Sequence, residues 1–134
     1  GKLQGQSTSC PNSIAQSAAI EALTGDQSEV DIMRTEFKKR RDYIVNRLNN
    51  INNIKCPNPG GAFYVFPNFS AYMNTNGKIK SSDELSMYFL EKKSLVTVSG
   101  DAFGGGGHIR FSYAASESDL RKAMDLVEET LKEI

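Results

Sequence analysis

The sequence predicts an α+β fold: a two-layer arrangement, similar to an α/β sandwich, of about three antiparallel or mixed strands packed against helices. Apolar residues recur at helical spacing in three segments, a capping box marks a fourth helix, and three short runs rich in β-branched and aromatic residues lie between the later helices. The predicted order is helix, helix, strand, helix, strand, strand, helix, without internal repeats. Because the last two strands are close in sequence, we expect them to pair antiparallel.

Each predicted helix has a start signal, an apolar stripe or both. We expect helices over 14–23 and 28–50, a third that ends near Lys93, and a fourth that carries an apolar stripe to the last residue. The residues placed to cap or end them are Asn12 or Ser13, Gly25, Ser81 with Glu84, and Ser116 with Asp119.

The three predicted strands differ in their patterns. Residues 62–66 are apolar on both faces and are therefore expected to be buried on both, with Tyr64 and Phe66 in the core. Residues 95–98 form the second strand. Residues 108–113 alternate, so that one face carries Ile109, Phe111 and Tyr113 and the other carries His108, Arg110 and Ser112. Residues 69–80 are expected to be a polar loop.

Composition excludes several classes of function. The chain has 134 residues, 39% hydrophobic and 24% charged, with a formal net charge of zero, which argues against nucleic acid or an anionic membrane as partner. No apolar run approaches the roughly 18 residues of a membrane helix. Cys10 and Cys56 are expected to be free thiols in a reducing compartment, and a single histidine without clustered cysteines argues against a metal site. The basic run 38–41 could bind an acidic partner, but neutrality favours a solvated helix face.

Arg110 is the leading candidate for a binding residue. It lies in a strand directly after a glycine-rich bend, and an arginine there is costly to bury unless an anion meets it. The planar guanidinium suits a carboxylate held by two hydrogen bonds, although an ordinary ion pair with Asp101 or another acid would also account for it. Gly104–Gly107 could cradle a phosphate, but a strand follows instead of a helix, so a flexible turn that carries Arg110 is favoured.

Three segments together resemble class I aminotransferases, most closely the aspartate aminotransferase-like branch. They are QSTSCPNSIAQ at residues 6–16, PGGAFYVFP at 59–67, and SGDAFG followed by GHIRFSYA between 99 and 114. The resemblance follows the family's order and spans the chain. It implies a pyridoxal 5′-phosphate enzyme with two-domain subunits, homodimeric when complete and cytoplasmic, that moves an amino group between an amino acid, with aspartate as the family-level expectation, and a 2-oxo acid.

The resemblance also implies roles for parts of this chain. Residues 1–25 correspond to the end of the large cofactor-binding domain and 26–134 to the small C-terminal domain. Arg110 aligns with the arginine that binds the substrate α-carboxylate, and Phe103 either lines the substrate pocket or, as we favour, lies in the core. Ser7 and Thr8 would lie near the cofactor, with helix capping as the alternative.

The family's cofactor lysine lies upstream of this chain, so we assign no catalytic residue and expect the fragment to be inactive alone. A non-catalytic interaction module and a lyase or decarboxylase of the same fold are the alternatives.

Overall fold

The structure is a computed structural model that describes residues 2–7, 10–74, 77 and 79–134. The chain divides into two compact units, Gly1–Arg34 and Thr35–Ile134. This division lies inside helix α3 (Ser28–Asn49). The domain boundary that the resemblance implies, between residues 25 and 26, stays a prediction.

The first unit contains helices α1 (Lys2–Ser7), α2 (Ser13–Thr24) and the start of α3. Asn12 caps α2 by accepting a hydrogen bond from the Ile14 amide at 2.8 Å, so the predicted helix is confirmed with Asn12 rather than Ser13 as its cap. Helix α1 was not predicted, because six residues without an apolar stripe give no periodic signal. The apolar side chains of α2 are exposed, including Ile14 at 78% and Leu23 at 81%.

The helices of the second unit follow their start signals. Helix α4 (Ser82–Lys93) is capped by Ser81, whose hydroxyl accepts from the Glu84 amide at 3.2 Å. The Glu84 carboxylate accepts from the Lys80 amide, one residue before the usual partner in a capping box. Helix α5 (Glu117–Leu131) is capped by Ser116. The predictions for these helices and for α3, which ends one residue earlier than expected, are confirmed, except that α5 ends at Leu131, before the last predicted stripe residue, Ile134.

The basic run of α3 makes contacts within the second unit. Arg40 pairs with Glu36 at 3.1 Å, and Lys39 pairs with the same carboxylate at 3.8 Å. Arg41 donates to the Pro59 carbonyl at 3.1 Å and is 19% exposed. These intramolecular partners favour a structural helix face over an acidic-partner patch.

The sheet has three antiparallel strands: β1 (Tyr64–Val65), β2 (Val98–Ser99) and β3 (Ile109–Ser112), in the order β1-β3-β2. The predicted antiparallel pairing of the last two strands is confirmed. Strand β2 begins three residues later than predicted. Ser94 ends α4 in the left-handed conformation with φ 52°. Residues 95–97, which follow it, connect the helix to β2 and do not pair with β3.

Helices cover one face of this sheet. The buried side chains include Ile44 and Leu48 of α3, Leu85 and Phe89 of α4, Leu120, Met124, Val127 and Leu131 of α5, and Val65, Ile109, Phe111 and Tyr113 from the sheet region. The predicted alternation along β3 is therefore confirmed.

The expectation that residues 62–66 are buried on both faces is wrong. Val65 is 1% exposed, but Phe63 and Tyr64 are 55% and 39% exposed, and Phe66 is half-buried. An antiparallel sheet commonly packs one face on its core and leaves the other open. Tyr64 and Phe66, the neighbours of Val65, accordingly lie on the open face, whereas the exposed Phe63 precedes the paired strand.

The described part of segment 69–80 is not simply a polar loop. It contains a 3₁₀ helix, Ser70–Tyr72, and its Phe69 and Ile79 are 0% and 4% exposed. Among the described residues, no helix has both the length and the hydropathy needed to cross a membrane.

Candidate functional site

Arg110 lies in the middle of β3, the central strand, with Val98 of β2 as its Cα partner. Its neighbours Ile109 and Phe111 are 0% and 5% exposed and face the helices. Because side chains alternate along a strand, Arg110 projects from the opposite, open face, where it is half-buried.

Two aromatic rings contact the Arg110 guanidinium. Its central carbon, Cζ, lies 4.7 Å from the Phe103 ring centroid and 5.2 Å from the Tyr64 centroid. Both distances are within the range for cation–π attraction. We call Tyr64 and Phe103 the Arg110 ring pair.

The ring pair corrects two expectations. Phe103, favoured as a core residue, is 54% exposed, and Tyr64 is not in the core either. Phe103 ends a 3₁₀ helix, Gly100–Phe103, that directly follows β2, and its ring contacts Arg110 from there. Tyr64 could have been found from the sequence, because placing Val65 in the core puts its neighbour on the face of Arg110.

The Arg110 guanidinium has no carboxylate within 4.0 Å among the described residues, and none of them accepts a hydrogen bond from it. The alternative of an ion pair with Asp101 is therefore wrong: the Asp101 amide and carboxylate both contact the Ser99 hydroxyl, at 3.2 and 3.5 Å. A permanently charged group with unused donors on an open sheet face is suited to bind an anion.

The glycine-rich bend is a packed turn. The Gly100 amide donates to the His108 carbonyl at 2.8 Å, and the Gly105 amide donates to the Gly100 carbonyl at 2.9 Å. The Gly107 amide donates to the hydroxyl of the buried Ser82 at 2.8 Å. Since these amides have protein acceptors and β3 follows the bend, the geometry gives no phosphate cradle.

His108 faces the same side as Arg110 but has its own contacts. Its ring stacks on Phe66 with centroids 5.0 Å apart, and its Nδ1 lies 3.1 Å from the Gly106 carbonyl oxygen. A carbonyl can only accept a hydrogen bond, so Nδ1 carries the proton in this arrangement. These contacts are sufficient to explain the residue without a role in the site.

The described residues do not form a cofactor pocket around Ser7. The Ser7 side chain is exposed, and its hydroxyl donates to the Leu3 carbonyl within α1 at 2.9 Å. Thr8 lies outside the described residues. A phosphate or pyridine ring would need converging donors and burial, and the described part of this unit offers neither.

The fold is a small α+β domain whose central strand carries Arg110 on the open sheet face, between two aromatic contacts. Residues 2–127 match the model of the family described as aminotransferase class I and II. This match covers most of the chain, and the chain belongs to that family.

The similar proteins are about three times as long as this chain. An aspartate aminotransferase of Pinus pinaster is 43% identical over 138 residues, a match that takes in 98% of this chain and 28% of that protein. The crystal structure of aspartate aminotransferase from Rhizobium meliloti superposes with a TM-score of 0.88 at 36% identity, covering 97% of this chain and 34% of that one. The crystal structure of an aromatic aminotransferase from Pyrococcus horikoshii superposes with a TM-score of 0.86 at 35% identity, covering 98% and 35%. The chain therefore spans between 28% and 35% of the length of these relatives.

Proposed function

We propose that the whole protein to which this chain belongs is a pyridoxal-phosphate-dependent aminotransferase and that Arg110 binds the α-carboxylate of its substrates. The observation that carries the proposal is the Arg110 guanidinium, held on the open sheet face with no acidic partner among the described residues. Family membership supports the reaction class.

The contribution of this chain is to bind and orient the substrate. Two parallel N–H donors on one carboxylate fix both its position and its plane. Fixing the α-carboxylate also sets the direction of the neighbouring Cα–H bond, which must be broken in amino transfer. The cofactor supplies the electron sink for that step. We expect its lysine and most of its ligands in parts of the protein outside this chain, so the 134-residue chain alone should be inactive.

The amino-acid side chain that the enzyme prefers is a finer question. Aspartate is our first expectation because the Pinus pinaster relative is named as an aspartate aminotransferase. The Pyrococcus horikoshii structure, at 35% identity, is named as an aromatic aminotransferase. A panel of aspartate, alanine and phenylalanine with 2-oxoglutarate will identify the preferred substrate. We also expect a cytoplasmic homodimer, which light scattering and cell fractionation test.

The decisive variant is Arg110→Lys in the whole protein. Lysine keeps the charge but loses the two-donor fork. Losing one charge-assisted hydrogen bond costs about 1.5–3 kcal/mol, so KM should rise roughly 10- to 150-fold for all three amino acids, since all carry the α-carboxylate. The matched control is Arg121→Lys, because Arg121 lies on α5 and pairs with Glu117; its KM should equal the parent's.

Three results would contradict the proposal. An unchanged KM in Arg110→Lys would remove this residue from the site. Release of ammonia or carbon dioxide without amino transfer would assign the protein to a lyase or decarboxylase of the same fold. A whole protein that binds no cofactor would indicate an interaction module.

A further inference from the structure

We propose that Tyr64 and Phe103 are positioning residues that hold the Arg110 guanidinium in place before a carboxylate arrives. This inference rests on the proposed function, in which Arg110 binds the substrate. It adds that the ring pair, rather than a neighbouring acid, restrains the arginine.

The ring pair reaches Arg110 from two different parts of the fold. Tyr64 belongs to β1, on one side of the central strand, and Phe103 ends the 3₁₀ helix that follows β2, on the other. Cζ lies 5.2 and 4.7 Å from the two ring centroids, so the guanidinium has one aromatic contact from a residue of β1 and one from the 3₁₀ helix that follows β2. Aromatic rings attract a guanidinium but accept no strong hydrogen bond, so its N–H groups remain available to a ligand.

Phe103 is itself held by packing behind it. Phe66 meets it edge to face, with centroids 6.3 Å apart and planes at 87°. Gly105 leaves room for Phe66, because a Cβ on Gly105 would lie 2.6 Å from Cε1 of that ring. On the other side, Phe63 packs edge to face on Tyr64 with centroids 5.8 Å apart. Both members of the pair therefore have a second aromatic ring that limits their movement.

This arrangement has an energetic consequence for binding. A free arginine side chain has many rotamers, and ordering it on ligand binding opposes affinity. An ion pair would order it too, but a ligand would then have to displace the acid. The ring pair orders the arginine without using its donors, so it should lower KM for every substrate that carries an α-carboxylate.

The test uses Phe103→Leu and Tyr64→Leu in the whole protein. Leucine keeps an apolar side chain but removes the ring face. Each variant should raise KM about tenfold, equally for alanine, aspartate and phenylalanine, with kcat changed by less than about twofold. Tyr64→Phe keeps the ring and should restore the parent KM. A larger KM change for one amino acid than for the others would mean that the ring lines a side-chain pocket, and would overturn the proposal.

A matched control separates positioning from general stability. The Tyr43 ring contacts Arg121 and Arg47, with Cζ atoms 4.9 and 5.8 Å from its centroid, in the helical layer. Tyr43→Leu removes the same kind of contact from other arginines and should leave KM at the parent value. An equal rise in KM for Tyr43→Leu would show that the ring-pair effects are structural.

Coupling to Arg110 completes the experiment. In an Arg110→Gln background, Phe103→Leu should raise KM by less than about twofold, because the group that the ring positions is gone. A full tenfold rise in that background would overturn the positioning role. The two proposals can be tested separately. An unchanged KM in Arg110→Lys contradicts the proposed function. A raised KM in Arg110→Lys, together with parent KM values in Phe103→Leu and Tyr64→Leu, contradicts the role of the ring pair alone.

Discussion

Gly100→Ala should destabilise the domain strongly, because the added Cβ would meet backbone atoms of the glycine-rich bend. Gly100 is buried, and a Cβ there would lie 2.5 Å from the His108 carbonyl oxygen and still closer to the Gly105 carbonyl oxygen. Hydrogen bonds hold both carbonyls: the Gly100 amide donates to His108 and the His108 amide donates to Gly105, at 2.8 and 3.1 Å. The clash can be relieved only by moving backbone.

The expected loss in the free energy of unfolding follows from the backbone groups that the added Cβ displaces. Overpacking a filled site costs about 1–3 kcal/mol, and disrupting two backbone hydrogen bonds adds about 1 kcal/mol each. We therefore expect a loss of about 3–5 kcal/mol in the free energy of unfolding, a large fraction of a typical domain's stability.

Urea unfolding of the chain, followed by circular dichroism, measures this loss. Gly60→Ala is the matched control, because a Cβ at Gly60 meets no atom within 4 Å and its φ is not positive. That variant should be neutral or more stable by about 0.4–1 kcal/mol. If Gly100→Ala lost less than about 1 kcal/mol, the bend would be loose enough to admit a side chain, and the packing argument would be wrong.

Two further predictions concern buried groups of the second unit. Tyr113→Phe removes the hydroxyl that donates to the Ala62 carbonyl at 2.8 Å. It should lower the free energy of unfolding in urea by about 1 kcal/mol. An unchanged free energy of unfolding would show that water replaces this hydrogen bond. Burial raises the pKa of the Cys56 thiol to about 11 from its ordinary 9.0. At pH 8, iodoacetamide with peptide mass spectrometry should therefore label Cys56 only in denaturant, while the exposed Cys10 of the chain reacts without it. Labelling of native Cys56 at the rate of Cys10 would contradict its burial. Because the folded-state pKa is raised, this thiol's contribution to the free energy of unfolding is complete below about pH 9 and is lost towards pH 11. Cys56→Ala should remove that part of the pH dependence.

The helices of the second unit could be predicted because their start signals are local. Ser81 caps α4 and Ser116 caps α5 through hydrogen bonds to amides three residues ahead. The apolar stripe of α5 likewise needs only spacing, and its Leu120 and Val127 are buried as expected. Such interactions are complete within one segment, so the sequence of that segment is sufficient to predict them.

The strands and the ring pair depend on residues that are distant in sequence. Tyr64 is as aromatic as a core residue, and its exposure follows only from which sheet face the helices cover. The limits of β2 follow from its register with β3, in which Val98 is opposite Arg110. The contact of Phe103 with Arg110 requires both the bend geometry and the strand order, neither of which a local pattern specifies.

The central position of β3 explains why one arginine can be restrained so fully there. Its flanking residues Ile109 and Phe111 anchor the backbone in the core, and β1 and β2 pair with it on both sides. An arginine on an edge strand would have a paired strand on one side only. Because the helices stabilise the opposite face, the open face need not be apolar throughout. It can carry a cation that has no acidic partner among the described residues, and under our proposal the rings of Tyr64 and Phe103 supply the order that such a partner would otherwise supply.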